Sequence, residues 1–171
     1  MRQSTTPHRG QDWMAQERAT DEWLRPDRVR IEPDPLTRLM IARRATVERV
    51  VQQLRTNGRV PRVCLYALAV GGHVPTHSLN AARAFAEQQG WQVATEDYTD
   101  CHGTTGPMAR PGWDQVRQRI RAGLADGVVV LTQTMISLRL DEYERQLAWL
   151  DEHFGFITLV IPERDTAAVQ E

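Results

Sequence analysis

The sequence predicts an α/β domain in which a four-stranded, mostly parallel sheet is covered by helices on both faces and preceded by one further helix. Three observations predict it. From residue 62 to 163, short apolar runs alternate with amphipathic helical stretches. Two of the runs, "RVCLYALAV" (62–70) and "VVVLTQ" (128–133), are apolar almost throughout, as suits strands buried on both faces. The helical stretches between them are long enough to serve as parallel crossovers.

Residues 1–33 are polar, mix both charge signs and lack periodicity, so a flexible arm is expected, with Trp13 and Trp23 as docking side chains. Residues 34–58 read as a basic amphipathic helix. Asp34 suits the N-cap, Pro35 the first helical position and Gly58 the stop. Leu36, Leu39, Met40, Val47, Val50, Val51 and Leu54 mark its buried face, and Arg38, Arg43, Arg44, Arg49 and Arg55 crowd the remainder. The bland reading is a helix packed on the domain with a solvated outer face, and the sharper one is contact with nucleic acid or a partner.

The α/β domain then spans 62–163. A strand over 62–70 is followed by a helix from about Thr76 or Ser78 to Gln89, where Ser78 reads as the cap and Gly90 ends the helix. "WQVATEDY" (91–98) supplies the second strand and "RPGWDQVRQRIRAGLADG" (110–127) the second helix. "LDEYERQLAWLDEHFG" (140–155) is the third helix, with Tyr143, Leu147 and Leu150 on one face, and "FITLVIPE" (156–163) the fourth strand. Residues 164–171 are too few for another element and read as a tail.

All 21 basic residues other than histidine are arginine, and the net charge of −1 hides an asymmetry. Residues 1–62 carry 13 arginines against 8 acidic residues, and residues 63–171 carry 8 against 14. A basic front suits DNA or an acidic partner, whereas the back repels phosphate. Cys64 and Cys101 are too few for a disulfide framework, which fits a reducing cytoplasm. No apolar run approaches the roughly 18 residues that cross a bilayer, so no membrane partner is expected. No cofactor motif is present, since "GGH" (71–73) lacks the later glycine and lysine of a phosphate loop.

Several phrases, "YALAV" (66–70), "HSL" (77–79), "FAEQQGW" (85–91), "DYTD" (97–100), "ARPGW" (109–113) and "VVVLTQTMISLRL" (128–140), carry a resemblance. Over about 62–163 the chain resembles the N-terminal catalytic domain of serine recombinases, the resolvase and invertase family. Its members show Tyr-x-Arg-Val-Ser, a Ser-Leu helix start, aromatic-Ala-Glu-x-x-Gly-Trp, an aspartate loop before Arg-Pro-Gly, and Val-Val-Val before Asp-Arg-Leu-Ser-Arg. The resemblance implies a three-layer, resolvase-like (flavodoxin-like) domain with strand order 2-1-3-4. The first domain helix is about one turn shorter than usual and lacks an early glutamine.

In that family a serine attacks a DNA phosphodiester and arginines stabilise the transition state. By position, Val70 stands where the nucleophile would be, Leu68 where the strand-one arginine would be, and Met135 and Leu138 where two later arginines would be. Tyr66, Asp100 and Arg110 match family positions. One lost stabilising donor typically costs about 3 kcal/mol, so the family reaction is expected to be negligible. Val70, Leu68, Met135 and Leu138 are expected to bury one another. Neither a dimerisation helix nor a helix-turn-helix reader is seen after the fourth strand.

The function expected is therefore that of a catalytically inactive, recombinase-like scaffold or regulator. It would work through a protein partner or self-association, with DNA as a further partner and a link to a mobile element. The alternative is an active DNA-processing or hydrolytic enzyme with relocated groups. Ser78 and Ser137 are the relocated nucleophiles to weigh, and His73, His77, Cys101 and His102 form a candidate zinc set at neighbouring strand ends.

Overall fold

The computed structural model describes residues 33–69, 71–101 and 105–163. The expected arm apart from Pro33, the tail, Val70 and His102 lie outside them.

The basic helix α1 spans Pro35–Thr56, and its start is chemically specified. The Asp34 carboxylate accepts the backbone N–H groups of Leu36 (3.0 Å) and Thr37 (3.2 Å), a cap worth about 1 kcal/mol. Pro35 occupies the first turn, and the helix stops at Asn57 before Gly58, whose φ of +69° no β-carbon opposes.

Four strands follow among the described residues: β1 (Arg62–Leu68), β2 (Gln92–Asp100), β3 (Gly127–Val130) and β4 (Phe156–Leu159). All pair in parallel in the order β2-β1-β3-β4. The helices between them are α2 (Thr76–Gln88), α3 (Pro111–Arg121) and α4 (Leu140–Glu152). This is the expected resolvase-like architecture.

Side chains alternate cleanly across the sheet, as a period of two demands. Cys64, Tyr66, Val128, Val130, Ile157 and Leu159 meet Trp113, Val116 and Ile120 of α3 and Tyr143 and Leu150 of α4. Val63, Leu65, Ala67, Val129 and Phe156 meet α2 and the second half of α1. Leu39, near the start of α1, joins the first cluster, while Val50, Val51 and Leu54 join the second. The helix therefore passes around the β4 side of the sheet from one layer to the other.

Boundaries differ from the sequence expectation in informative ways. β1 stops at Leu68, β3 covers only 127–130 and β4 ends at Leu159, and a 3-10 turn, Gln133–Met135, begins at the last residue of the expected third strand. Apolar runs report burial rather than pairing, and Ile136, beyond the ladder, is fully buried. β2 instead continues two residues further, to Asp100. α3 ends at Arg121 because the N–H groups of Leu124 and Ala125 fold back onto the Arg119 carbonyl. α2 begins at Thr76, directly after Pro75, with no side-chain cap, so Ser78 is a buried first-turn residue and not the cap.

β2 is an edge strand with an irregularity. Val63 pairs with Val93 but Leu65 pairs with Asp97, so two residues of β1 oppose four of β2. The bulge lifts Glu96 and Asp97 onto the surface, where they pair with Arg119 (3.0 Å) and Arg83 (2.7 Å).

Candidate functional site

The resemblance points to the C-terminal ends of the strands, where open parallel sheets assemble their sites. Tyr66 is fully buried on β1, and its hydroxyl donates to Asp100 Oδ2 at the end of β2 (2.9 Å). The same carboxylate accepts the backbone N–H of Gly112 (2.8 Å) and of Trp113 (2.9 Å). Asp100 thus caps α3 from outside the helix, at the end where the macrodipole favours an anion. Burial, followed by the charge of Asp100, pushes the Tyr66 hydroxyl well above its ordinary range, with Arg110 opposing. The phenol remains a proton donor.

Arg110, next to α3, is buried. Its Nε donates to the Thr105 carbonyl (2.9 Å), and Nη1 donates to the carbonyls of Met135 (2.9 Å) and Ile136 (2.8 Å). The three residues at matching family positions therefore stand together, each engaged in holding the loops and α3 against the sheet.

The residues at the diverged positions do not form the expected mutual core. Leu68 is buried and Met135 half-buried, but Leu138 is 72% exposed in the stretch before α4, so it cannot pack as expected. Val70 lies outside the described residues. Ser137 is buried, donates to Glu142 Oε2 (2.5 Å) and accepts the Arg139 N–H (3.0 Å), bonds that shape the entry to α4. His73, His77 and Cys101 are exposed, and among the described residues no three His, Cys, Asp or Glu side chains converge on a metal position. Both cysteines are free, and burial pushes the Cys64 thiol up to about 11.

The arginines of α1 separate into two classes. Arg43 is buried, against expectation: Nε and Nη2 grip Glu163 Oε1 (2.6 Å) and Oε2 (2.9 Å), and Tyr143 of α4 donates to the same carboxylate (3.0 Å). A guanidinium held this way cannot contact a nucleic acid. Arg49 pairs with Asp151 on α4. Arg38, Arg44 and Arg55 are exposed and join no ion pair among the described residues. The sequence marks Tyr143 only as a residue of the apolar helix face and does not mark Glu163, because nothing near Arg43 in the chain points to a partner 120 residues away.

No protein-family model matches the sequence, and no curated protein does. Solved structures match. The N-terminal catalytic domain of TP901-1 integrase is 19% identical with a TM-score of 0.52, over 58% of this chain and 76% of that one. The C-terminal catalytic domain of ISC1926 TnpA, an IS607-like serine recombinase, is 15% identical with a TM-score of 0.53, over 63% of this chain and 76% of that one. At such identities the likeness is one of architecture. With the parallel order β2-β1-β3-β4 and the layers described above, the chain has the fold of serine-recombinase catalytic domains.

Proposed function

We propose that this chain uses the recombinase catalytic fold without recombinase chemistry, as a scaffold or regulator acting through protein contacts and linked to a mobile element. The observation that carries this reading is the state of Arg110. Its guanidinium is buried and committed to three backbone carbonyls, while Leu68, Met135 and Leu138 offer no charge at the other positions where the resemblance implies arginine. Phosphoryl transfer needs cations aimed at the charge that develops in the transition state. Three of its five N–H groups are thus already committed, and the residue is only 3% exposed.

The test is a search for a covalent protein–DNA adduct on nicked suicide duplexes, with wild type and Val70→Ser in parallel. Neither should form one, since a hydroxyl without neighbouring cations is a poor nucleophile with an unassisted leaving group. An adduct on wild-type protein overturns the proposal.

DNA as a second partner is favoured by the exposed Arg38, Arg44 and Arg55 on α1. Arg44 and Arg55 are three helical turns apart, which puts them on one side of the helix. A metal-dependent alternative at His73, His77, Cys101 and His102 gains no comparable support from the described residues.

A further inference from the structure

A cleft of about 500 Å³ opens between the 3-10 turn Pro107–Ala109, α3 and α4. Two side chains on its wall are buried and poorly partnered. Arg117 on α3 is only 9% exposed, yet it pairs with no carboxylate among the described residues. Its Nη1 donates to Met108 Sδ (3.1 Å), and its buried Nε has no partner. Gln146 on α4 is 3% exposed, and its Oε1 accepts the Trp113 indole N–H (2.8 Å). That bond fixes the orientation of the amide, so Nε2 faces the same Met108 Sδ, at 3.6 Å.

A thioether sulfur is a weak acceptor, so two buried donors converge on a point held by a poor partner. Burying a cation without a counter-charge is costly, and desolvation lowers the Arg117 pKa despite the help of Asp114 one turn away. The guanidinium carbon lies 4.3 Å from the Trp149 ring centroid, an arrangement that orders the group and leaves its edges free for in-plane hydrogen bonds. Met108 is 64% exposed on a short turn and can move aside.

We propose that this cleft binds a small organic monocarboxylate, one carboxylate oxygen replacing Met108 Sδ between Arg117 Nη1 and Gln146 Nε2, with the apolar body along Pro107 and Met108. Glu142 also lines the cleft, and its carboxylate already accepts the Ser137 hydroxyl. Arg145, the other cation on the wall, is paired with Asp141, so a ligand meets the charge of Arg117 beside that of Glu142, which suits a monoanion better than inorganic phosphate. Arg117 would thus be a binding residue whose charge is balanced by ligand. This inference is independent of the non-catalytic reading above, since neither the strand ends nor DNA enters it.

The experiment titrates the full chain with benzoate, its neutral isostere benzamide, and inorganic phosphate, followed by the Arg117 Nε–H and Trp149 indole resonances in ¹H–¹⁵N spectra. Benzoate should move both resonances saturably, while benzamide and phosphate leave them in place. Arg117→Met should weaken benzoate binding by at least about tenfold, the loss of one charged hydrogen bond. The Trp113 indole resonance reports whether that variant is folded. Met108→Glu, on the exposed turn, gives an independent reading: an intramolecular carboxylate should block benzoate and raise the melting temperature. Benzamide binding as well as benzoate, unmoved Arg117 and Trp149 resonances, or undiminished benzoate affinity in either variant overturns the proposal.

Discussion

A methyl group on Gly112 would lie 2.6 Å from the Thr99 carbonyl oxygen and 2.9 Å from Asp100 Oδ2. Both atoms are fixed, one by the sheet and the other by its own cap on α3, so neither can yield cheaply. Gly112→Ala should destabilise the protein by about 1–3 kcal/mol, read as a lower urea midpoint at unchanged slope. The phrase "RPGW" was legible in the sequence as a motif, but its reason was not, because a close approach between a helix start and a strand end is a tertiary fact. Arg43 and Arg44 make the same point. They are adjacent and alike in the sequence, yet Arg43→Ala leaves Glu163 buried with the Tyr143 hydroxyl but no counter-charge and should cost about 3–5 kcal/mol. Arg44→Ala, on the surface, should stay within about 0.5 kcal/mol in the same denaturation experiment.

At the scale of the element, α1 is fastened to the domain by Glu163 gripped between Arg43 and Tyr143. Burial resists ionisation of Glu163, but the hydrogen bonds and charge of Arg43 outweigh it and hold the carboxyl below its ordinary range. A depressed folded-state pKa stabilises the fold above the unfolded value, about 4.3 for glutamate, and that stability is lost as pH falls through the folded value. The protection factors of α1 amides, with intrinsic exchange at each pH divided out, should therefore fall on acidification through and below this range, before those of β1. Glu163→Gln should flatten that dependence while lowering α1 protection at neutral pH. A parallel loss of protection in β1 would show that the clasp does not govern the helix separately. The ends of α1 were legible because Asp34, Pro35 and Gly58 act locally. The start of α2 at Thr76 is one of the two starts read from the sequence, but the cap assigned to Ser78 does not form, since the helix follows Pro75 with no side-chain cap. The ends of β3 and β4 were overextended for another reason, that buried loop residues are as apolar as strand residues.

For the whole molecule, the basic front read from the sequence contracts to a smaller surface once Arg43 and Arg49 are assigned to Glu163 and Asp151. If α1 meets DNA, Arg38→Ala/Arg44→Ala/Arg55→Ala should weaken binding similarly across unrelated duplexes. The log–log salt slope should fall by about 0.9 for each phosphate contact removed. Anisotropy of a labelled duplex measures both, and equal affinities for wild type and variant would remove DNA from the reading of this helix. Self-association is narrowed by the sheet itself. An open parallel sheet has two borders, and either could recruit a strand from another copy or from an extended peptide. Here the β2 border is buckled by its bulge and lined with Glu96 and Asp97, and the β4 border has α1 passing around it from one layer to the other. Among the described residues both borders are thus poor templates for strand addition, which leaves helix faces and the loops at the strand ends as their contact surfaces.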